Sequence, residues 1–189
     1  MGYGEMGSGL GKWRLLASAL PLAALALAGC NAETTAAAKP PSATAQVKGF
    51  TDPAITGTVT FATLADGAIL VQADVAGLKH GQAYAVHIHE KGNCSAPDSS
   101  GAHFRTGAEG HGNPFNADGS HHDGDLPSLQ VDSLGVGHFD LRTVSLGLTA
   151  GARNAVVRAV IVHTGPDDFR TQPTGNSGAR IACGVIAAD

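Results

Sequence analysis

The sequence is poor in charge, in helical patterning and in long apolar runs, and these shortages limit what the protein can be. Asp and Glu number 16 against 12 Lys and Arg, for a formal net charge of -4, which argues against a general nucleic-acid binder. The apolar run over residues 15–28 is too short to favour a membrane-spanning helix. Glycine, by contrast, is abundant, with 26 residues. The composition therefore favours one domain of strands and turns.

The start of the chain has the pattern of a bacterial export signal. Two basic residues precede the apolar run, which ends in Leu27-Ala28-Gly29-Cys30. This ending resembles a lipobox, in which small residues precede a cysteine that becomes lipid-modified and N-terminal. We predict a lipoprotein signal peptide over residues 1–29 and a lipid on Cys30. The alternative is an ordinary signal peptide with a chance cysteine.

Export and lipidation would place the protein in the periplasm or cell envelope, anchored to a membrane. Asn31 carries no charge that would signal retention in the inner membrane, which by analogy favours the outer membrane. Residues 30–45 are rich in Ala, Thr, Pro and Ser, and we predict a disordered tether there. The folded domain is predicted over residues 46–189.

The cysteines indicate one disulfide. If Cys30 is lipidated, only Cys94 and Cys183 remain, and two cysteines in an oxidising compartment favour a bond between them. It would close a loop of about 90 residues and contribute roughly 4–5 kcal/mol in the chain-entropy model. The alternative is a pair of free buried thiols.

Short apolar runs broken by Gly, Asp and Pro predict about seven or eight strands, arranged as an antiparallel sandwich or barrel. The predicted strands cover residues 55–64, 69–75, 83–89, 129–131, 137–141, 156–163 and 180–186. Two segments do not read as strands: the long loop, Lys91–Pro127, and the short loop, Gly165–Ala179. Six of the nine histidines lie between His87 and His122, which favours a functional long loop that bound metal would order.

Histidines at ligand-like spacings predict two metal sites. His87 and His89 alternate with apolar residues on a predicted strand, so both side chains point to one face. With His163, at the end of another predicted strand, they form an all-imidazole set that suits copper cycling between two oxidation states. The long loop contributes imidazoles and one carboxylate, which suit zinc in a closed tetrahedral site: His103, His111, His122 and Asp125.

Taken together, these segments resemble the copper,zinc superoxide dismutase family, in its bacterial exported form. The resemblance covers about residues 45–187 and rests on several motifs in order: His87-Ile88-His89-Glu90-Lys91-Gly92-Asn93-Cys94, Gly101-Ala102-His103-Phe104, His122-Asp123-Gly124-Asp125-Leu126-Pro127, Val160-Ile161-Val162-His163 and Gly175-Asn176-Ser177-Gly178-Ala179-Arg180-Ile181-Ala182-Cys183-Gly184-Val185-Ile186.

The resemblance implies a fold, an activity and a set of site residues. The fold is an all-β antiparallel Greek-key sandwich or flattened barrel with two long functional loops. The activity is conversion of superoxide to dioxygen and hydrogen peroxide by a copper ion beside a structural zinc ion, here protecting the cell envelope. The family leaves a homodimer open and implies no nucleic-acid partner. The implied copper ligands are His87, His89, His103 and His163, and the implied zinc ligands are His103, His111, His122 and Asp125.

Further roles also follow from the resemblance. Arg180 and the bridging His103 are the implied catalytic residues, and Cys94–Cys183 is the family's disulfide. Asp167 matches a carboxylate that links a copper histidine to a zinc histidine; the alternative is a loop-capping aspartate. For Arg180, the alternative interpretation is an arginine in a surface salt bridge.

Other histidines and one departure complete the sequence-based expectations. His121 competes with His122, although the His-x-Gly-Asp spacing favours His122, and His80 and His138 are expected on the surface. Arg105-Thr106 replaces the family's usual Asn-Pro, which puts the local path of the long loop in doubt. The rival function is a lipid-anchored protein that buffers copper or zinc without catalysis.

Overall fold

Nine antiparallel strands make up the fold of the described chain, which in this computed structural model comprises residues 1–2, 39–116 and 118–189. The predicted signal peptide beyond residue 2, Cys30 and the tether up to residue 38 lie outside it. The strands are β1 Ser42–Gly49, β2 Thr56–Thr63, β3 Ile69–Ala76, β4 Ala83–Tyr84, β5 Val86–His89, β6 Leu129–Val131, β7 Gly137–Thr143, β8 Ala159–His163 and β9 Arg180–Ala188. A 3-10 turn over Pro97–Ser100 is the one helical element in the described residues, and none of these residues forms a helix able to cross a membrane.

The sheet is a nearly closed barrel. Its strand order is β4-β6-β7-β3-β2-β1-β9-β8-β5, so β4 and β5 lie at opposite ends of the order although Ala85 alone separates them in sequence. The Ala85 N–H donates to Gly165 O at 2.8 Å, and the His163 N–H donates to Ala85 O at 2.9 Å. The segment that was predicted as one strand over residues 83–89 therefore changes partner at Ala85 and joins both ends of the sheet. This architecture confirms the predicted antiparallel sandwich or flattened barrel.

Alternating side chains fill the barrel. Along β3 the buried residues are Ile69, Val71, Ala73 and Val75, and the residues between them are more exposed. The same period of two places Phe139 and Leu141 of β7 inside. Each buried aliphatic side chain contributes roughly 1.5–3 kcal/mol, so the core holds the barrel as a rigid support for the loops.

The sequence-based prediction missed one strand and started another too early. No strand was predicted for β1, whose residues 42–45 lie in the sheet and not in a tether. Ala43 and Ala45 are fully buried, and an alternation made of alanines resembles low-complexity composition. β8 begins at Ala159, three residues later than predicted. Val157 has a φ of 62° and is exposed, so a turn precedes the strand despite its β-branched sequence.

Both faces of β5 are buried. Val86 and Ile88 face the core, and His87 and His89 face the long loop. The loop runs alongside β5 as an extra pair of partners. The Phe104 N–H donates to Ile88 O at 2.8 Å, and the Ile88 N–H donates to Gly124 O at 2.8 Å. The long loop thus pairs with the free edge of the strand that carries the histidine pair.

Candidate metal centre

Neighbouring strands and the long loop bring the predicted ligands together. β5 and β8 pair with Val86 opposite Val162, which places His163 beside the start of β5. The ring centroids of His87 and His89 are 6.5 Å apart, as expected for residues i and i+2 on one face of a strand. The loop then adds two residues across from this pair, because His103 forms a bridge opposite His89 and Asp125 opposite His87.

Four buried imidazoles converge into an all-histidine set, His87, His89, His103 and His163. One ligand atom from each lies within 4.8 Å of the other three. Four nitrogens in this set have no hydrogen-bond partner in the described chain: His87 Nδ1, His89 Nε2, His103 Nε2 and His163 Nε2. An unpaired buried polar atom costs about 1–3 kcal/mol, so this cluster is built to be completed by a cation.

Burial keeps the all-histidine set neutral. Desolvation lowers the pKa of His87 to about 3, of His89 to about 2 and of His163 to about 4, from the ordinary value of 6.5. Desolvation also lowers the pKa of His103, against the opposing effect of Asp125. Neutral imidazoles with free lone pairs are the form of histidine that binds metal.

A second group, the carboxylate set, centres on one oxygen of Asp125. Its Oδ1 lies 3.1 Å from His103 Nδ1, 3.0 Å from His111 Nδ1 and 3.4 Å from His122 Nδ1. His87 competes with His122 for a place in this set, since ligand atoms of His87, His103, His111 and Asp125 also lie within 4.8 Å of one another. We assign His122 to the set, because its Nδ1 is buried and unpaired whereas His87 Nε2 is already bound by Asp167.

The spacing of the carboxylate set fits a tetrahedral zinc site. Ligands about 2.0–2.1 Å from Zn²⁺ at tetrahedral angles are roughly 3.3–3.4 Å from one another. The three distances at Asp125 Oδ1, from 3.0 to 3.4 Å, come close to this value. Burial raises the pKa of Asp125, but the three histidines outweigh burial and hold that pKa far below its usual range. The carboxylate is therefore ionised and able to compensate a divalent cation.

His103 belongs to both sets. Its Nδ1 lies 3.1 Å from Asp125 Oδ1, while its unpaired Nε2 faces the all-histidine set. One imidazole ring therefore presents one nitrogen to each site, which is the geometry a bridging ligand requires.

Asp167 connects the two sets through hydrogen bonds to one histidine of each. Its Oδ2 accepts a hydrogen bond from His87 Nε2 at 2.7 Å, and its Oδ1 accepts one from His111 Nε2 at 2.8 Å. Burial lowers the pKa of His111, but its bonds to the carboxylates of Asp125 and Asp167 outweigh burial and raise that pKa to about 9. Burial raises the pKa of Asp167, and its two histidine partners outweigh this and lower it to about 2. Asp167 fixes which ring nitrogen each histidine turns to the metal.

Backbone carbonyls orient the remaining histidines of the all-histidine set. His89 Nδ1 donates to Gly101 O at 2.9 Å, and His163 Nδ1 donates to Gly178 O at 3.1 Å. Ser177 Oγ also lies 3.2 Å from His163 Nδ1. Each contact occupies Nδ1 and leaves Nε2 free for a metal ion.

Arg180 is held by neutral oxygens. Its Nη1 donates to Pro97 O at 2.9 Å and to Ser100 Oγ at 3.1 Å, and its Nη2 donates to Gly101 O at 2.8 Å. No carboxylate pairs with it within the described residues. Its positive charge is therefore fixed in place and uncompensated, which removes the alternative of a surface ion pair.

A hollow of about 270 Å³ leads to the centre. It is lined by Glu90, Ala102, His103, Arg105, His122, Pro173, Thr174 and Arg180. Arg105, the departure noted in the sequence, is exposed beside His103 in this wall. The hollow can admit a small anion, because the two arginines in its lining outnumber its one carboxylate, Glu90.

The other predicted residues fall into clear places. Cys94 and Cys183 form a disulfide with a Cα–Cα distance of 5.6 Å, which confirms the prediction. His121 turns its Nδ1 to the His122 carbonyl at 2.6 Å, away from Asp125. His80 and His138 are exposed and bond Asp132 O and Asp74, respectively, as expected for surface residues.

Sequence reasoning missed Gln172. Its side-chain amide exchanges two hydrogen bonds with the backbone of His111. The signal was absent because Gln172 is an exposed loop residue in a polar segment, and nothing in its sequence neighbours indicates where the amide points. The carbonyl partners of His89 and His163 were missed for the same reason, since any residue type supplies a carbonyl.

Known proteins share these features. The family profile described as copper/zinc superoxide dismutase matches residues 55–186. A Cu-Zn superoxide dismutase of Caulobacter vibrioides is 40% identical over 152 residues, covering 77% of this chain and 85% of the relative. One from Deinococcus radiodurans is 39% identical over 145 residues, covering 71% of this chain and 78% of the relative. The crystal structure of the clock protein EA4 superposes with a TM-score of 0.70 at 34% identity, covering 79% of this chain and 95% of that one.

The matches decide between the enzyme and the metal-buffering alternative. These two relatives are Cu-Zn superoxide dismutases, and the histidine groups described above can bind such ions. The cofactors are therefore copper and zinc, the substrate is superoxide, and the protein is an oxidoreductase. On the profile match and the relatives together, the chain belongs to the copper/zinc superoxide dismutase family.

Proposed function

We propose that copper binds the all-histidine set and zinc binds the carboxylate set. The observation that carries this assignment is the pattern of unpaired nitrogens, because four of the five that lack a partner in the described chain belong to the all-histidine set. Four neutral imidazoles without a carboxylate leave a site that both oxidation states of copper can occupy. The carboxylate set supplies a negative charge and a closed tetrahedral arrangement, which suit Zn²⁺.

His103 is the proposed proton carrier. Copper, when bound, supplies the one-electron oxidation and reduction, and the protein must supply protons and position. His103 Nε2 points into the all-histidine set while Nδ1 stays directed to Asp125, so the ring can hold a proton at Nε2 without leaving the zinc side. Because His103 also lines the hollow, a proton on this atom lies next to the incoming anion.

Arg180 is the proposed substrate anchor. Three neutral acceptors hold its guanidinium rigid at the hollow, and an uncompensated fork of N–H groups attracts and orients a small anion. Gly101 O accepts from both Arg180 and His89, so one carbonyl sets the position of the anchor relative to a copper ligand. Two superoxide ions and two protons yield dioxygen and hydrogen peroxide, with one of the protons delivered from His103.

The assignment is tested with His103→Ala and a matched surface variant, His138→Ala. We expect His103→Ala to lose nearly all dismutation, measured by pulse radiolysis on protein loaded with both metals, and to bind less than one equivalent of each metal by elemental analysis. The barrel should remain, as judged by circular dichroism, since His103 lies in the loop. Full activity in His103→Ala would contradict the assignment. His138→Ala should behave as the unmodified protein.

We further propose that the enzyme is attached to a membrane through a lipid on Cys30 and protects the cell envelope from superoxide. The lipobox-like sequence supports the anchor, and the Cys94–Cys183 disulfide is of the kind found in oxidising compartments. Expression of Cys30→Ala in a bacterial host, followed by membrane fractionation and mass spectrometry, tests it. We expect the unmodified protein in the membrane fraction and the variant in the soluble fraction; equal distribution would refute the anchor.

A further inference from the structure

Gln172 makes a two-point contact with the backbone of His111. The His111 N–H donates to Gln172 Oε1 at 2.7 Å, and Gln172 Nε2 donates to His111 O at 2.8 Å. Both polar groups of one residue's backbone are thus satisfied by one side-chain amide, although 61 positions separate the two residues. A side-chain amide offers a donor and an acceptor side by side, which an ionised carboxylate does not.

The neighbouring chain leaves room for this contact. A Cβ at Gly110 would lie 2.9 Å from Gln172 Oε1 and 3.1 Å from its Nε2, which is too close for an unshifted structure. The glycine before His111 therefore lets the amide approach the main chain. Two separate features, a glycine in the long loop and a glutamine in the short loop, serve one contact.

The contact ties the two loops together between the carboxylate set and the hollow. Gln172 precedes Pro173 and Thr174, which line the hollow with His103 and Arg180. On its other side, Gln172 fixes the backbone from which the His111 ring reaches Asp125 and Asp167. The ring's position depends on its Cα position, so the amide holds the ring indirectly and independently of Asp167.

We propose that Gln172 is a positioning residue for zinc: it holds His111 in the carboxylate set and couples that set to the wall of the substrate hollow. The inference rests on the proposed assignment of His111 to zinc. The loss of an outer partner of a metal-ligating histidine typically reduces metal affinity by about 10–100-fold. We therefore expect Gln172→Ala to release zinc about 10–100-fold faster, with copper release unchanged within twofold.

The experiment uses the enzyme loaded with both metals and challenged with a chromogenic zinc chelator. Gln172→Ala is compared with Gln46→Ala, which alters another exposed glutamine, on β1, that contacts Thr58 at 3.5 Å. Gln172→Glu keeps the acceptor for the His111 N–H but turns an oxygen towards His111 O, so it should release zinc as fast as Gln172→Ala. His111→Ala serves as the reference for a lost ligand.

A second readout separates positioning from general stability. Cobalt(II) bound in place of zinc absorbs visible light according to its ligand geometry, so its bands should shift or broaden in Gln172→Ala and stay unchanged in Gln46→Ala. If His111→Ala loses zinc, but Gln172→Ala releases zinc within twofold of the Gln46→Ala rate and keeps an unchanged cobalt spectrum, the proposal is overturned. Zinc retention by Gln172→Glu at the unmodified rate would also overturn it, and undiminished zinc binding by His111→Ala would overturn the zinc assignment itself.

Discussion

Gly175 lies against the hydrogen bond between Asp167 and His111, so a side chain at this position should disrupt that bond by a predictable amount. A Cβ at position 175 would lie 1.9 Å from Asp167 Oδ1 and 2.5 Å from His111 Nε2, the two atoms of a 2.8 Å hydrogen bond. Gly175→Ala must therefore displace one of them. Gly175 also has a φ of +66°, so the substitution carries a separate backbone cost.

Gly81→Ala is a matched variant that carries the same left-handed backbone strain without a steric clash, so the difference between the two variants isolates the loss of the hydrogen bond. Gly81 has a φ of +74° and no atom within 4 Å of a Cβ built on it. Gly81→Ala should lose roughly 1–2 kcal/mol of unfolding free energy from left-handed strain alone. Gly175→Ala should lose that amount and, in addition, about 1.5–3 kcal/mol for a hydrogen bond to a charged group.

The assays are urea unfolding of the metal-free proteins and zinc release to a chelator from the loaded proteins. At about 1.4 kcal/mol per factor of ten, the additional loss corresponds to zinc release roughly 10–150-fold faster in Gly175→Ala. Gly81→Ala should release zinc at the unmodified rate. If the two variants lose equal unfolding free energy and hold zinc equally well, the Asp167–His111 bond does not position the zinc ligand as argued.

Three further predictions follow from other parts of the molecule. Replacing Cys94 and Cys183 with serine should lower the free energy of unfolding, measured in urea, by up to about 4–5 kcal/mol, since 89 positions separate the cysteines. In metal-free protein, burial lowers the pKa of His163 to about 4. Below pH 6.5 the unfolded chain therefore binds more protons at this residue than the folded chain does. The free energy of unfolding should fall by about 2 kcal/mol for this residue between pH 7 and pH 5. Arg105→Gln should slow the reaction with superoxide roughly two- to fivefold at low ionic strength and flatten its salt dependence, measured by pulse radiolysis, whereas Lys48→Gln should not.

Each of these predictions has an outcome that would contradict it. Unchanged urea midpoints in the serine variant would mean that the disulfide adds no stability. His111 acts in the opposite direction, because its raised pKa stabilises the folded form below pH 6.5, and this stabilisation is lost towards pH 9. An unfolding free energy that stays constant from pH 7 to pH 5 would contradict the prediction for His163. Equal rates for Arg105→Gln and Lys48→Gln would remove Arg105 from the attraction of the anion.

Strands such as β3 and β7 were predictable because large apolar residues alternate with polar ones along them. β1 was not predicted, since Ala43 and Ala45 bury small side chains that carry little pattern. β8 was extended too far, because Val157 is β-branched but takes a left-handed turn. In each case a contact made far along the chain, and not local propensity, sets the boundary.

Several site residues could be named from the sequence because they belong to motifs whose spacing is local, although strand pairing and the folded loop bring them together. His87-x-His89 and His122-x-x-Asp125 each need only one strand or one turn. What the sequence does not encode locally is the orientation of each ring. That depends on carbonyls such as Gly101 O and on Gln172, which reach the histidines only after the loops fold over β5.

The pairing of the long loop with the free edge of β5 has a consequence for self-association. Without residues 102–104 and 124, the outer side of β5 would present unpaired N–H and C=O groups, which other chains can extend as a sheet. The same loop carries the four proposed zinc ligands, so we expect loss of zinc to loosen it. On that expectation, metal loss would both remove the catalyst and expose an aggregation-prone edge.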